Sequence, residues 1–107
     1  MNKIESNEEL KILIKENLMV SVYFGGDDCG VCTALKPKVK ELLKEYDNIK
    51  SVEVDVNNNF DISAAYSIFT IPAILIFIEG KEIIREARHI SVQDLNNKIE
   101  RYYNMLF

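Results

Sequence analysis

The sequence predicts an α/β fold in which a mixed four-stranded central sheet carries helices on both faces. Three observations point there. Between Leu18 and Val56 a strand-forming run, a helical stripe and a second strand-forming run follow one another, and two strands joined by a crossover helix pair in parallel. Later, Glu79-Gly80-Lys81 separates two further strand-like runs with the glycine expected of a hairpin turn, which adds antiparallel strands. Helical patterns also open and close the chain, giving the order α-β-α-β-α-β-β-α.

Ser6-Asn7-Glu8-Glu9 has the form of a capping box, with Ser6 as N-cap and Glu9 at the third helical position. Leu10, Leu13 and Ile14 then recur at helical spacing, which predicts a first helix over about residues 7–17. Leu18 to Phe24 is rich in strand formers and apolar on both parities, as a strand buried on both faces must be. Gly25-Gly26-Asp27-Asp28 breaks it.

The second helix begins near Cys29 or Gly30, with Ala34, Leu35, Val39, Leu42, Leu43 and Tyr46 as its buried stripe. Pro37 falls inside it and is expected to kink it, since proline lacks a donor and its ring clashes one turn back. Ile49 to Val56 alternates around Val52, Val54 and Val56 and reads as a strand, followed by a turn at Asn57-Asn58-Asn59. Phe60 to Tyr66 fits a short helix started by Asn59 or Asp61. Ala73 to Ile78 and Glu82 to Ala87 are the two arms of the hairpin. Ser91 caps a final helix whose stripe is Val92, Leu95, Ile99, Tyr102 and Tyr103.

At 107 residues the chain suits one domain, residues 1–107, and is short for two. Nearly half its residues are apolar, enough for a core without disulfide staples. A net charge of −4 and the lack of phosphate-tracking basic clusters argue against a nucleic-acid partner. The most basic stretch, Lys36-Pro37-Lys38-Val39-Lys40, reads as the wet face of a helix. Met1 to Lys11 is polar and charged, without a signal-peptide core. The longest apolar run, Ile71 to Ile78, is too short to cross a bilayer. A cytoplasmic monomer with no membrane attachment is expected.

Cys29 and Cys32 are the only cysteines, and they fall where a strand gives way to a helix. Unpaired N–H groups and the positive end of the helix dipole favour an anion at that point. A thiol there loses its proton more readily, and the thiolate is the reactive species. Asp27 and Asp28 oppose this effect as negative neighbours, but exposed carboxylates are screened. In a reducing compartment a lone Cys-x-x-Cys is a catalytic or metal-binding pair rather than a staple. Cys29 is expected to be the more exposed and to attack a disulfide, and Cys32, one turn on, to resolve the mixed disulfide.

These features resemble the thioredoxin family in the right order over nearly the whole chain. Cys29-Gly30-Val31-Cys32 follows the first central strand, Pro37 comes five residues after the second cysteine, and Ile71-Pro72 directly precedes the penultimate strand. The resemblance implies a thioredoxin fold and a thiol–disulfide oxidoreductase, most readily a reductant, with no bound cofactor and no metal. It implies disulfide-containing clients and a separate thioredoxin-reductase-type electron donor. It also implies a cis Ile71–Pro72 bond beside the cysteines. There the backbone of Ile71 would bind an extended substrate segment, with Pro72, Gly30 and Val31 around it.

The chain also departs from the best-known thioredoxins. Gly30-Val31 stands where they have Gly-Pro, Asp28 where they have tryptophan, and Arg88 where a glycine is common. Tyr23 takes the place of a buried aspartate that helps deprotonate the resolving thiol, so slower release from the mixed disulfide is expected. The same residues also admit two other classes, a redox-silent interaction module and a four-thiolate metal site completed across a homodimer. His89, the only histidine, is read as a surface residue.

Overall fold

The computed structural model describes residues 1–107. Its elements are β1 (Asn2–Lys3), α1 (Asn7–Glu16), β2 (Met19–Gly25), α2 (Gly30–Leu43), β3 (Lys50–Asp55), α3 (Phe60–Ala65), β4 (Ala73–Ile78), β5 (Lys81–Ala87) and α4 (Val92–Leu106). They form one five-stranded sheet in the order β1-β3-β2-β4-β5. The expected four strands and four helices are present; the count of strands is corrected by the edge strand β1. Two residues carry no periodicity, and both side chains of β1 are exposed. Backbone pairing alone creates it, with Asn2 opposite Val52, Lys3 opposite Glu53, and the Ile4 amide donating to the Glu53 carbonyl at 2.9 Å.

β2 and β3 are parallel through the α2 crossover, and β4 runs antiparallel to both β2 and β5. Alternation along β2 divides the core in two. Met19 and Tyr23 face α2 and α4, packing with Leu35, Val39, Leu42, Leu95 and Ile99. Val20, Val22 and Phe24 face α1 and α3, packing with Leu10, Ile14, Val54 and Ile62. Every residue of β2 is buried, which fixes its register, since a slip of one residue would exchange the two faces. Each fully buried Leu, Ile or Phe side chain contributes about 1.5–3 kcal/mol to that arrangement.

Local signals mostly hold. The Ser6 hydroxyl accepts the Glu9 amide at 3.1 Å, but the Glu9 carboxylate takes the amide of Glu5 (2.8 Å) rather than that of Ser6. Ser91 caps α4 by accepting the Asp94 amide at 3.1 Å. The hairpin between β4 and β5 turns through Glu79 (φ 51°) and Gly80 (φ 80°), and a two-residue turn with positive φ at both centres matches the twist of paired strands. α2 runs through Pro37 and ends at Leu43, short of Tyr46; Lys44 to Tyr46 continue as turns. Ala34 is exposed rather than part of the buried stripe, and Leu18 lies outside β2.

Candidate active site

The site is built where β2 stops. Gly25 ends the strand against α2: a Cβ added there would lie 3.2 Å from both Cys32 Cβ and the Tyr23 ring, so only glycine allows this approach without a shift. Gly26-Asp27-Asp28 then turns the chain, closed by the Cys29 amide donating to the Gly26 carbonyl at 3.1 Å. Asn57, in the loop after β3, donates from Nδ2 to Asp28 Oδ1 at 3.0 Å and so ties the turn to the neighbouring strand exit.

Cys29 is the N-cap of α2, with extended backbone angles (φ −99°, ψ 104°). Its Sγ accepts the Cys32 amide at 3.2 Å, the position a capping oxygen normally takes. Its carbonyl accepts both the Thr33 amide (3.0 Å) and the Thr33 hydroxyl (3.1 Å). Cys29 and Cys32 form a disulfide with their Cα atoms 5.2 Å apart. The two sulfurs differ in access: Cys29 is half-buried, whereas Cys32 is 2% exposed. Gly30 and Val31 are exposed beside them.

The Ile71–Pro72 bond is cis. Phe24 pairs with Ala73 across the antiparallel β2–β4 ladder, so Pro72 enters β4 at the same end of the sheet from which the Cys29 loop leaves β2. Ile71 is half-buried and Pro72 buried, and the Pro72 carbonyl accepts the Arg88 amide at 2.9 Å. Arg88 holds φ 67°, a left-handed conformation that favours glycine.

Beneath the cysteines, Tyr23 is buried and donates its hydroxyl to the Cys32 carbonyl at 2.7 Å. Burial, and secondarily the Glu53 carboxylate, push its pKa up to about 12. Glu53 lies opposite both Tyr23 and Lys3 in the ladders and pairs with Lys36 of α2, Nζ to Oε2 at 2.5 Å. Tyr23, Cys32, Lys36, Pro37 and Glu53 line one cavity of about 260 Å³. Sequence reasoning missed Glu53 and Asn57, and read Lys36 only as part of a wet helix face. Alternation with Val52 and Val54 sets Glu53 on the opposite face from those valines, and its pairing with Tyr23 in the parallel ladder turns that face toward α2. His89 is exposed ahead of α4, and no three His, Cys, Asp or Glu side chains of the chain gather as a metal-ligand set.

The sequence profile described as Thioredoxin matches residues 2–101. The chain belongs to the thioredoxin family. A thioredoxin-like protein of Bacillus subtilis, YdfQ, is 30% identical over 105 residues, spanning 98% of this chain and 94% of that one. Among solved structures, Fasciola hepatica thioredoxin superposes with a TM-score of 0.86 at 29% identity, covering 94% of this chain and 98% of the other. Plasmodium falciparum thioredoxin, at 24% identity and TM-score 0.87 over 95% and 99% of the two chains, shares the fold. With its Cys-Gly-Val-Cys site, this thioredoxin-family chain is a thiol–disulfide oxidoreductase. Its partners are those general to the family, client disulfide proteins and a reductase system. None of its helices is long and apolar enough to cross a membrane.

Proposed function

We propose that Cys29 is the attacking thiolate, that Cys32 resolves the mixed disulfide, and that the protein works as a cytoplasmic, monomeric reductant of protein disulfides. The observation that carries this reading is the asymmetry of the pair. Cys29 Sγ caps α2, where backbone N–H groups stabilise negative charge, and is within reach of solvent. Cys32 is buried one turn behind it, accessible to Cys29 but not to a bulky client.

An extended client segment then lies against Gly30, Val31 and the Ile71–Pro72 loop, with the Ile71 backbone as its hydrogen-bonding edge. Val31, 63% exposed, offers that segment an apolar contact. Asp28 and Pro37 are assigned supporting roles, Asp28 in holding the turn and Pro37 in shaping the helix behind Cys32. Electrons return from a separate reductase.

Cysteine exchanges test the assignment. Cys32→Ser is expected to trap a client as a stable mixed disulfide on Cys29, and Cys29→Ser to trap none. Trapping on Cys32 instead would reverse the roles. Equilibration of the Cys29/Cys32 couple with glutathione tests the direction. A potential near about −270 mV fits a reductant, and one above about −180 mV overturns that part of the reading.

A further inference from the structure

Resting on the assignment of Cys32 as resolving thiol, we propose that Glu53 of β3 is the group that takes the Cys32 proton, with Lys36 as the residue that positions it. The resolving step must remove a proton from a buried thiol. Tyr23, although bonded to the Cys32 carbonyl, is a poor acceptor: its hydroxyl is already donating, and burial disfavours its charged form. The carboxylate on the neighbouring strand is better placed. Glu53 is buried, yet it lines the same cavity as Cys32.

Buried carboxylates are rare unless paired, and here the partner is itself part of the site. Lys36 lies one turn beyond Cys32 on α2, so the ion pair holds the Glu53 carboxylate under the helix that carries the thiol. Other charged and titratable groups line the same space. Lys40 comes from α2, Lys3 from β1, Tyr23 from β2, Asp55 from β3 and Asp27 from the turn. The cavity of about 260 Å³ is large enough to hold water, and these ionisable side chains give such water partners for relaying a proton.

The step balances without any further reactant. Cys29 begins in a mixed disulfide with the client sulfur. The Cys32 S–H proton passes to the Glu53 carboxylate, and the Cys32 sulfur bonds to Cys29 Sγ. The Cys29–client bond breaks, and its electron pair leaves with the client as a thiolate. Cys29 and Cys32 end oxidised, the client sulfur ends reduced, and Glu53 returns its proton through the open side of the cavity.

Stopped-flow reaction of the reduced protein with one equivalent of dithiobis(nitrobenzoate) separates the two chemical steps. A first coloured thiolate reports attack by Cys29, and a second reports displacement by Cys32. With Glu53→Gln, the second phase near pH 7 should slow by about tenfold or more and climb in proportion to hydroxide. The first phase should stay within about twofold, and Glu53→Asp should restore the shape of the second-phase pH profile. A second-phase profile for Glu53→Gln that superimposes on the parent overturns the proposal. Absence of the first phase in the parent protein would instead overturn the Cys29 assignment. Carbon-13 NMR of the Glu53 carboxyl in the unaltered protein supplies a test independent of the variant's folding. The dithiol form should show an inflection, missing from the disulfide form, at the pH where Cys32 ionises. Identical titrations in the two forms overturn the proposal.

Discussion

Tyr23 Oη donates to the backbone carbonyl of Cys32 at 2.7 Å, so the central strand grips the first turn of α2 directly beneath the disulfide. This bond joins two parts that redox exchange would otherwise be free to loosen. The Cys32 carbonyl lies within α2 and keeps its helical partner when this bond is lost, so the bond contributes about 0.5–1.5 kcal/mol net. Tyr23→Phe should therefore destabilise the protein by roughly that amount, read as a lower urea midpoint at unchanged slope.

The same tyrosine gives an alkaline signature. Its pKa is raised to about 12 in the folded chain, by burial first and Glu53 second, against about 10 unfolded. Between those values the folded state holds a proton that the unfolded state has lost. Stability from this group is complete below pH 10 and falls as pH rises toward 12, by about 2–3 kcal/mol in all. Tyr46 and Tyr66 are also raised and add their own slopes. The contribution of Tyr23 is thus the part of the decline that Tyr23→Phe removes, measured by urea unfolding at pH 9, 10 and 11. An identical slope in parent and variant would count against it.

Asp28 sets a smaller effect at the other end of the site. Its carboxylate accepts from Asn57 in the open, next to Cys29. A negative neighbour disfavours the thiolate, and at solvent-like dielectric the effect is well under 1 kcal/mol. Asp28→Asn should lower the pH at which Cys29 ionises and quicken its attack near neutral pH by roughly threefold or less. Thiolate absorbance at 240 nm against pH checks the first, and alkylation rate the second. The gain should shrink as salt is added, because the charge being removed is exposed.

What was legible in the sequence follows from which forces carry periodic signals. β2 announced itself because each of its residues is buried, and α4 because Leu95, Ile99 and their neighbours make one stripe. The cysteines were legible from their position at a strand–helix junction. β1 was not, since its pairing uses backbone groups that every residue has. Glu53 was hidden for a related reason. A carboxylate in an alternating strand reads as the solvent side, and only the parallel ladder with Tyr23 and the reach of Lys36 from α2 show it facing the interior. Asn57 looked like turn chemistry, and it is, but its side chain also spans to Asp28, 29 residues away in sequence.

The centre of the sheet should be the least forgiving place to cut. Phe24 is fully buried on β2 between Val54 of β3 and Ala73 of β4, against α1 and α3. Phe24→Ala removes a large apolar side chain from a face with little room to collapse, and should cost about 3–5 kcal/mol. Phe24 faces away from Tyr23 and the cysteine pair, so rates of thiol exchange in the fraction still folded should change far less than stability does. A loss below about 1 kcal/mol by urea unfolding would mean the two core halves do not depend on this strand as described.

Arg88 offers the opposite test, a substitution expected to help. It sits at φ 67° just after β5, with its amide bonded to the Pro72 carbonyl, so the backbone is held in place whatever the side chain. A non-glycine residue in this region carries about 1–2 kcal/mol of strain. Arg88→Gly removes that strain but returns about 0.4–1 kcal/mol of disorder to the unfolded chain. The net effect should be a gain of up to about 1 kcal/mol, seen as a higher urea midpoint. Arg88→Ala keeps the Cβ and gives up only the guanidinium, so it should show no comparable gain. If alanine stabilised as much as glycine, the benefit would come from removing a positive charge beside His89, and the backbone argument would fail.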